Sequence, residues 1–455
     1  MSLLVEYLQA FKHFQRDARL FLISNMLSGV TVGIILVLYN LYLIALGYDT
    51  SFVGQLLFVT TLGAGCAIFP AGLCVDRFSG KWIMILGSLA IGIAGAGQFL
   101  LHQPLPLLIS GFAAGVGGAF ILVVNAPFLT HHSTPRERPH LFSVNIVLLQ
   151  VTTVIGELLG GALPQWIQHY SWLTAWLPSW AESMLAPGAE ARAYQLSLLF
   201  AGIIAAPSFI PLLLMRDAPP PRPPQQDRAT HRPAQRPGLH WRPQALLRSP
   251  LTILIAIQVL IGLGAGLFIP YFNIYFVHTL GASPFLFGVI DGGANIVYAL
   301  LTLLAPLLAT ALGKINTIVL TRLISLPLLL AIGLIHYLPL VSILYLFRLG
   351  TMDMGNGLFQ VFSMEAIERK NRGMANSLYQ IAYQGASAIS TPIGGLLIDQ
   401  SGYSVVFIGA AILYLCSLLL LWGYFGRGKG ERLVTAIRLQ EPSHTPQVEQ
   451  EMQPS

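Results

Sequence analysis

Long runs of apolar residues, separated by short polar connections, make up most of the chain. A helix needs roughly 20 predominantly apolar residues to cross a bilayer, and about twelve runs of this kind are present. Runs such as 196–215 lack the alternation of apolar and polar positions that a membrane β-barrel requires. The pattern therefore predicts an all-α polytopic membrane protein with about twelve transmembrane helices.

The predicted helices form two groups of six, joined by a stretch rich in proline and arginine. The first group covers residues 20–46, 52–75, 82–101, 106–129, 141–163 and 195–215, and the second covers 249–279, 285–308, 315–336, 339–362, 374–398 and 404–425. Because the Pro/Arg-rich stretch cannot bury a core, it marks a boundary between domains. We expect a cytoplasmic amphipathic N-terminal segment (1–19), an N-terminal six-helix bundle (20–215), a cytoplasmic linker (216–248), a C-terminal six-helix bundle (249–426) and a cytoplasmic tail (427–455).

Composition supports a chain that resides in lipid. Of the 455 residues, 55% are hydrophobic and 10% are charged, whereas soluble domains carry roughly 25% charged residues. The net charge of +6 does not indicate a nucleic-acid partner, because the basic residues collect in every second connection, in the linker and near both ends. By the positive-inside rule, these connections and both termini are cytoplasmic. We expect a monomer in a bacterial-type plasma membrane, in contact with membrane lipids.

The two halves repeat one sequence pattern. Residues 29–42 (GVTVGIILVLYNLY) align with residues 262–275 (GLGAGLFIPYFNIY), 233 positions further along the chain. Other pairs separated by 233 or 234 positions are Gly80 with Gly313, Lys81 with Lys314, Arg138 with Arg372, Gln150 with Gln384, and Gly160 with Gly394. Both halves begin on the same side, so we expect parallel copies related by an axis along the membrane normal.

Polar side chains follow single faces of several predicted helices. We expect them to line a cavity, because polar groups that face lipid are costly. The candidates for contact with substrate are Gln150, Asn295, Asn356, Gln360, Gln384, Tyr42 and Tyr275. For each of them, hydrogen bonding between helices is the alternative role.

Three carboxylates and an arginine also lie within predicted spans. Glu157, Asp291 and Asp353 are candidates for carrying a proton or for binding a cationic substrate. Arg348 is a candidate partner, reaching Asp291 or Glu157 across the cavity. Arg322 is expected to extend to the lipid headgroups. No metal-binding spacing and no catalytic motif is visible, so we expect no metal, no cofactor and no enzyme activity.

The ten residues between the second and third predicted helices, GLCVDRFSGK, resemble the cytoplasmic loop of the major facilitator superfamily of secondary transporters. The positions of that family's motif are filled in order by Gly72, Asp76, Arg77, Ser79 and Lys81. The resemblance implies two pseudo-symmetric bundles around a central path. It also implies a cytoplasmic gate, in which Asp76 lies near the start of the eleventh helix when the protein faces outward.

The second half departs from this motif. Gly313 and Lys314 remain, but Ala309 and Thr310 stand where the acid and the base are expected. This copy is therefore expected to have lost its ion-pair chemistry and to serve only as a turn. The segment GELLGG, which contains Glu157, is similar to the fifth-helix motif of drug/proton antiporters, with the glutamate in place of a proline. The arginine of those antiporters is missing from the fourth predicted helix.

The resemblance implies transport of a small molecule by alternating access. We favour proton-coupled export of an amphipathic or cationic compound. Uptake of a polar solute such as a sugar, or flipping of a lipid or lysolipid, are alternatives within transport. A non-transporting receptor or scaffold is the alternative from another class, but a rigid scaffold would not need the gate motif.

Overall fold

A computed structural model describes residues 14–134, 137–169, 182, 184–216, 249–367 and 372–426, together with residues 428, 429, 432 and 435. These residues form twelve helices and no strand: α1 (Arg16–Ala45), α2 (Thr50–Arg77), α3 (Gly80–Leu100), α4 (Pro104–His131), α5 (Arg138–His169), α6 (Ala189–Leu214), α7 (Pro250–Thr279), α8 (Pro284–Leu312), α9 (Lys314–Leu334), α10 (Leu338–Asp353, continued by Asn356–Glu365), α11 (Arg372–Ser401) and α12 (Tyr403–Phe425). The predicted all-α membrane architecture is confirmed. Most of the predicted N-terminal segment, linker and tail lies outside the described residues.

Ten of these helices are long and apolar enough to cross a membrane, within the described ranges. The other two are the interrupted α10 and the polar α11. The predicted start of the sixth helix at residue 195 is wrong, because α6 begins at Ala189. Its first turn holds Glu190, which accepts a hydrogen bond from Tyr194 at 3.0 Å. An acidic residue is favourable at a helix N-terminus, so Glu190 is part of the first turn of α6 and not of the preceding loop.

The tenth helix was predicted as one continuous segment and is broken instead. It stops at Asp353 and resumes at Asn356. Between them lies Gly355, whose missing side chain lets the backbone approach α9: a methyl group there would lie 3.2 Å from Thr321 Oγ1. Glycine is also a weak helix former. The break leaves two polar side chains adjacent, and the Asn356 amide donates to Asp353 Oδ1 at 2.9 Å.

The internal repeat is visible as matching helix contacts in the two bundles. Gly160 of α5 packs against Ile34 of α1, and Gly394 of α11 packs against Leu267 of α7. The members of the second pair lie 234 and 233 positions after those of the first. In both bundles a side chain on the glycine would overlap the neighbouring backbone, so glycine is required for the helices to approach this closely.

Tyr42 and Tyr275, which were predicted to face the cavity, make equivalent hydrogen bonds in the two bundles. Tyr42 donates to the carbonyl oxygen of Phe99 at 2.9 Å, and Tyr275 donates to that of Ile332 at 2.6 Å. Both side chains are fully buried. Each hydroxyl thus bonds to a carbonyl near the end of the third helix of its own bundle, which is the alternative role of hydrogen bonding between helices.

The close contact of α2 with α4 gives a test of this packing. A methyl group on Gly115 would overlap the backbone of Thr60, whereas one on Gly118 would meet open space. We expect Gly115→Ala to lower the free energy of unfolding by about 1–3 kcal/mol, the usual range for overpacking. Thermal unfolding of the detergent-solubilised protein measures the change. Gly118→Ala, one turn away on the same helix, is the matched control and should be at least as stable as the wild type; equal stability of both variants would contradict this packing.

Candidate functional site

An asparagine from each bundle crosses the interface between them. The amide of Asn40 in α1 donates to the carbonyl oxygen of Pro270 at 2.7 Å and to Asn273 Oδ1 at 3.3 Å. In return, the amide of Asn273 in α7 donates to the carbonyl oxygen of Val37 at 3.1 Å. Asn40 and Asn273, and likewise Val37 and Pro270, are separated by 233 positions in the sequence. The two residues that align in the repeat therefore contact each other where the halves meet.

A local irregularity in α7 makes this exchange possible. Pro270 lies in a 3-10 turn, Ile269–Tyr271, inside the helix. The backbone N–H of Ile274, which a regular helix would direct at the Pro270 carbonyl, instead donates to Asn273 Oδ1 at 2.9 Å. The Pro270 carbonyl is thus left for Asn40.

The second contact between the bundles joins α11 to the N-terminus of α2. Asp399 accepts hydrogen bonds from the backbone N–H of Thr50 at 3.2 Å, from the Thr50 hydroxyl at 2.5 Å and from the backbone N–H of Ser51 at 2.8 Å. The Thr50 hydroxyl also lies 3.0 Å from the carbonyl oxygen of Gly395. The first N–H groups of a helix lack partners within it and attract an anion. A carboxylate of one bundle therefore caps a helix of the other.

The third contact brings two carboxyl groups together. At this point α5 and α8 touch closely, because a methyl group on Gly288 would lie 2.6 Å from the carbonyl oxygen of Glu157. The Glu157 side chain is 2% exposed, and its Oε2 atom receives no hydrogen bond from any described residue. Asp291 is the acidic neighbour of Glu157 across the interface, and a methyl group on Gly292, next to Asp291, would lie 3.9 Å from Glu157 Oε2. Asp291 also accepts a hydrogen bond from the Tyr345 hydroxyl of α10 at 2.5 Å.

Nearer the basic connections, two turns from Glu157 on α5 and one turn from Asp291 on α8, the Gln150 amide donates to Asn295 Oδ1 at 3.3 Å. Both residues were predicted to line a cavity. In the structure they bond to each other between α5 and α8, which is the alternative role that the sequence left open.

Beyond this level the bundles separate toward the end that carries the basic connections. The face of α2 that contacts α11 at Gly54 continues to Gly65 and Ile68. There, Gly65 has no atom within 4 Å of a built side chain, and Ile68 is 46% exposed. On the facing helix α11, Ile381 is 67% exposed. The structure is therefore closed at one end and has a cleft open to the basic-loop end.

A cavity of about 490 Å³ lies between the two bundles. We call it the central cavity. Asn40 and Asn273 line it, as do the predicted residues Asp291 and Gln384. Most of the remaining lining is apolar. A molecule in this cavity would contact the residues that hold the closed end together.

A second cavity of about 300 Å³ lies within the C-terminal bundle, and we call it the C-bundle cavity. It adjoins the central cavity, since Ile269 lines both. Four predicted residues line it, on the two parts of α10: Arg348, Asp353, Asn356 and Gln360. Arg322 of α9 lines it as well. The prediction that Arg322 extends to the lipid headgroups is wrong, since its side chain is 3% exposed and turned inward.

The predicted partnership of Arg348 with Glu157 or Asp291 is also not formed. Arg348 makes no ion pair with a carboxylate among the described residues. Its guanidinium carbon lies 4.8 Å from the ring centre of Phe268 and 5.9 Å from that of Tyr414. Asp291 instead binds Tyr345, on the same helix as Arg348.

The gate motif lies at the basic-loop end, where α2 ends at Arg77 and α3 begins at Gly80. Lys81 donates to the carbonyl oxygens of Leu213 at 3.0 Å and Met215 at 2.7 Å. It therefore holds α3 to the last turn of α6, as a cation at a helix C-terminus does. Gly72 lies in the last two turns of α2, and Ser79 precedes α3 without a side-chain capping bond. The side chain of Asp76 lies outside the described part.

The second copy of the motif was expected to have lost its ion-pair chemistry, and this expectation is wrong. Lys314 forms an ion pair with Glu365, their Nζ and Oε2 atoms lying 2.6 Å apart. Glu365 ends α10, 51 positions further along the chain. Inspection of the loop alone could not find an acidic partner that the fold supplies from another helix.

Comparisons with known proteins place the chain among membrane transporters. The family model for the Major Facilitator Superfamily matches residues 21–367 and, separately, 254–446. The chain is 28% identical over 147 residues to the Multidrug resistance protein MdtH of Salmonella choleraesuis, covering 32% of this chain and 36% of the relative. It is 29% identical over 113 residues to the Efflux pump patC of Aspergillus clavatus, covering 25% of this chain and 20% of the relative. The chain thus matches only about a third or less of each relative's length.

Two solved structures share the fold along nearly the whole chain. One is a bacterial homologue of the human lysosomal transporter Spinster in an inward-facing, unoccupied conformation, with a TM-score of 0.64 and 14% identity over 93% of this chain and 96% of that one. The other is the nucleoside transporter NupG, with a TM-score of 0.67 and 13% identity over 90% of this chain and 98% of that one. At these identities the likeness concerns the fold alone.

Because Asp399 caps a helix of the opposite bundle, its carboxylate is expected to help keep this end closed. We expect Asp399→Asn to increase the fraction of molecules open at this end roughly 30-fold, because charge-assisted hydrogen bonds contribute about 2 kcal/mol. Spin labels at Leu101 and Tyr337, which are exposed in the connections at this end of the two bundles, report the distance after the native cysteines are replaced by serine.

Asp49 provides the control, because it caps the same helix from within its own bundle by accepting from the N–H of Phe52 at 2.8 Å. Asp49→Asn should lower thermal stability without lengthening the distance between the labels. An equal effect of the two substitutions on that distance would show that Asp399 acts only as a helix cap.

Proposed function

Because the chain belongs to the major facilitator superfamily, we propose that it is a proton-coupled exporter of a small organic molecule. It is a membrane transporter and not an enzyme. Direction, coupling and substrate are the proposal. Export is favoured because the curated relatives are called a multidrug resistance protein and an efflux pump.

The pairing of Glu157 with Asp291 is the observation that supports proton coupling. Each carboxyl group belongs to a different bundle, and they meet only because the bundles are closed at this end. Two adjacent carboxylates cannot both be ionised without strong repulsion. The closed end therefore holds a proton between them, and loss of that proton favours separation of the bundles there.

This arrangement gives the coupling a direction. With the basic-loop end placed in the cytoplasm by the positive-inside rule, the described conformation faces inward. A proton taken up from outside closes the outer end and is released into the inward-open cleft. The resulting repulsion favours outward opening, which carries substrate out while protons move in.

The same assignment of sides places the protein in a bacterial-type plasma membrane with both termini in the cytoplasm. We propose that it acts as a monomer, since each chain contains both bundles and the interface between them. Lipids contact the apolar outer surface, where large side chains such as Leu303 and Phe69 are exposed.

Uptake of a polar solute is the second candidate. The observation in its favour is the amide lining of the C-bundle cavity, where Asn356, Gln360, Asn376 and Gln380 offer hydrogen bonds that a sugar or nucleoside can use. Uptake of labelled xylose and uridine into proteoliposomes, against efflux from preloaded vesicles, distinguishes the two directions.

The carboxyl pair predicts a response of the outer end to pH in the absence of any substrate. Raising the pH should open the outer end, because ionisation of both carboxyl groups makes them repel each other. For scale, two unit charges at a separation of about 4 Å repel by about 4 kcal/mol at an effective dielectric constant of 20. Glu157→Gln and Asp291→Asn should each stay closed and lose the response. Tyr345, which donates to Asp291, and the nearby Arg348 are left unchanged. The distance between the Leu101 and Tyr337 labels is again the measurement.

Glu190→Gln is the matched control, since Glu190 bonds to Tyr194 within α6 and does not line the central cavity. It should respond to pH as the wild type does. A wild-type distance that does not change with pH, or an unchanged response in Glu157→Gln, would refute proton coupling through this pair.

The gate motif predicts an asymmetry between the halves. We propose that Asp76 holds the cytoplasmic end closed in the outward-facing state by lying at the N-terminus of α11. Such a contact contributes about 1 kcal/mol, so Asp76→Asn should reduce the open fraction of the outer end at high pH about fivefold. Lys314→Met is the comparison, because Lys314 pairs with Glu365 inside its own bundle. An equal reduction by both substitutions would argue against a gate carried by the first half.

A further inference from the structure

We propose that the C-bundle cavity binds an anionic group of the transported molecule, a carboxylate or a phosphate, between Arg322 and Arg348. This deepens the proposed export function by naming the chemical class of the substrate. It replaces the cationic compound that the buried carboxylates alone had favoured.

Arg348 has no counter-ion within 4 Å among the described residues. Its side chain is 1% exposed, and its Nε and Nη2 atoms have no hydrogen-bond partner among the described residues. The rings of Phe268 and Tyr414 hold the guanidinium group in place but offer it no acceptor in an ion pair. A buried charge without an opposite charge beside it is expensive, so an anion entering the cavity would gain a strong, bidentate interaction.

Arg322 is the second cation, and it is only partly satisfied. Its Nη2 atom donates to Asn356 Oδ1 at 3.0 Å, while its Nε and Nη1 atoms have no partner in the described part of the chain. Phe359 lies against it, 5.2 Å from the guanidinium carbon to the ring centre. As with Arg348, an aromatic ring fixes the cation and leaves N–H groups for a ligand.

The charges that line the cavity do not cancel. Asp353 is the one acidic residue among its described lining residues, against two arginines. It interacts electrostatically with Arg322 but forms no ion pair within 4 Å, and its Oδ1 atom accepts from Asn356. The cavity therefore keeps an excess of one positive charge, which selects against cations and favours a singly charged anion.

The remaining lining indicates what else the ligand carries. Gln258, Gln360 and Gln380 offer amide groups, and Tyr383 and Tyr414 offer hydroxyl groups and ring faces. The opening into the largely apolar central cavity lets a second, apolar part of the ligand extend past Ile269. The site thus fits an amphipathic organic anion whose charged end lies in the C-terminal bundle.

The same anionic chemistry occurs on soluble metabolites and on lipid headgroups. Glycerol 3-phosphate and lysophosphatidylglycerol carry phosphate in these two settings and serve as the probes that separate them. Binding of the soluble ester identifies a soluble anion as the ligand class, whereas binding of the lysolipid alone identifies a headgroup, and either outcome supports an anion site.

Equilibrium binding to the full-length protein in a nonionic detergent tests the charge preference without any pH gradient. Benzoate, benzamide and benzylammonium have nearly the same shape and carry negative, zero and positive charge. We expect thermal stabilisation by benzoate and by the phosphate probes, and none by benzylammonium. Because this assay needs neither transport nor proton coupling, its failure is distinct from failure of the proposed function.

Substitutions then locate the site. Arg348→Gln and Arg322→Gln should each weaken benzoate binding at least about 30-fold, since removing one partner of a buried charge pair typically costs that much. Arg348→Lys keeps the charge and should retain part of the affinity. Arg372→Gln is the control: Arg372 lies in the same bundle but bonds to the carbonyl oxygens of Met364 and Ile367, and it does not line the cavity.

Asp353→Asn is expected to increase the affinity for benzoate, a result that misfolding cannot produce. Removing the competing negative charge should tighten benzoate binding about tenfold. Stabilisation by benzylammonium that Asp353→Asn abolishes would overturn the proposal in favour of a cation site. Absence of stabilisation by benzoate and by both phosphate probes would overturn it outright, as would benzoate binding that survives both arginine substitutions.

Discussion

The pairing of Asn40 with Asn273 is the contact on which the described conformation depends. Each amide donates to a backbone carbonyl of the opposite bundle, and the four groups involved are related by the internal repeat. In a membrane such groups cannot transfer their hydrogen bonds to lipid. Opening the outer end must therefore break this exchange and supply water or new partners to both amides, so the protein alternates between discrete states and does not deform continuously.

Around this contact the two bundles carry different functional groups, although they repeat one sequence pattern. The N-terminal bundle supplies the loop motif and Glu157, while the C-terminal bundle supplies Asp291 and both buried arginines. The broken α10 and the irregular α7 also belong to the second half. The proposed substrate site is thus concentrated in one bundle. Because the carboxyl pair has one member in each bundle, protonation of the pair depends on how the two bundles are positioned relative to each other.

The placement of charged residues in the two cavities allows ligand binding and proton binding to influence each other. Asp291 of the carboxyl pair borders the central cavity at the level where the bundles close, and the arginines lie nearer the open cleft. The anion and the proton that we propose therefore occupy separate places but act on the same rigid bundle. Their effects can be coupled through the bundle's position, without direct contact between the two ligands.

The sequence by itself determined the architecture. The apolar runs indicate helices, because backbone polar groups must be satisfied in lipid; the basic connections indicate the sides of the membrane; and the repeat indicates two like halves. The sequence also identified Glu157, Asp291, Arg348 and Asp353 as unusual, since charge within a span is costly wherever it lies. Only the tertiary structure decided their partners. Tyr42 and Tyr275 donate hydrogen bonds to carbonyls of their own bundles, and Lys314 forms an ion pair with Glu365. Arg322 is buried and lines the same cavity as Arg348. Helical spacing defines the face of the helix on which a side chain lies. The neighbouring helix that this face contacts depends on close glycine contacts and on helix breaks such as that at Gly355. Those features are set by packing between segments that are distant in the sequence.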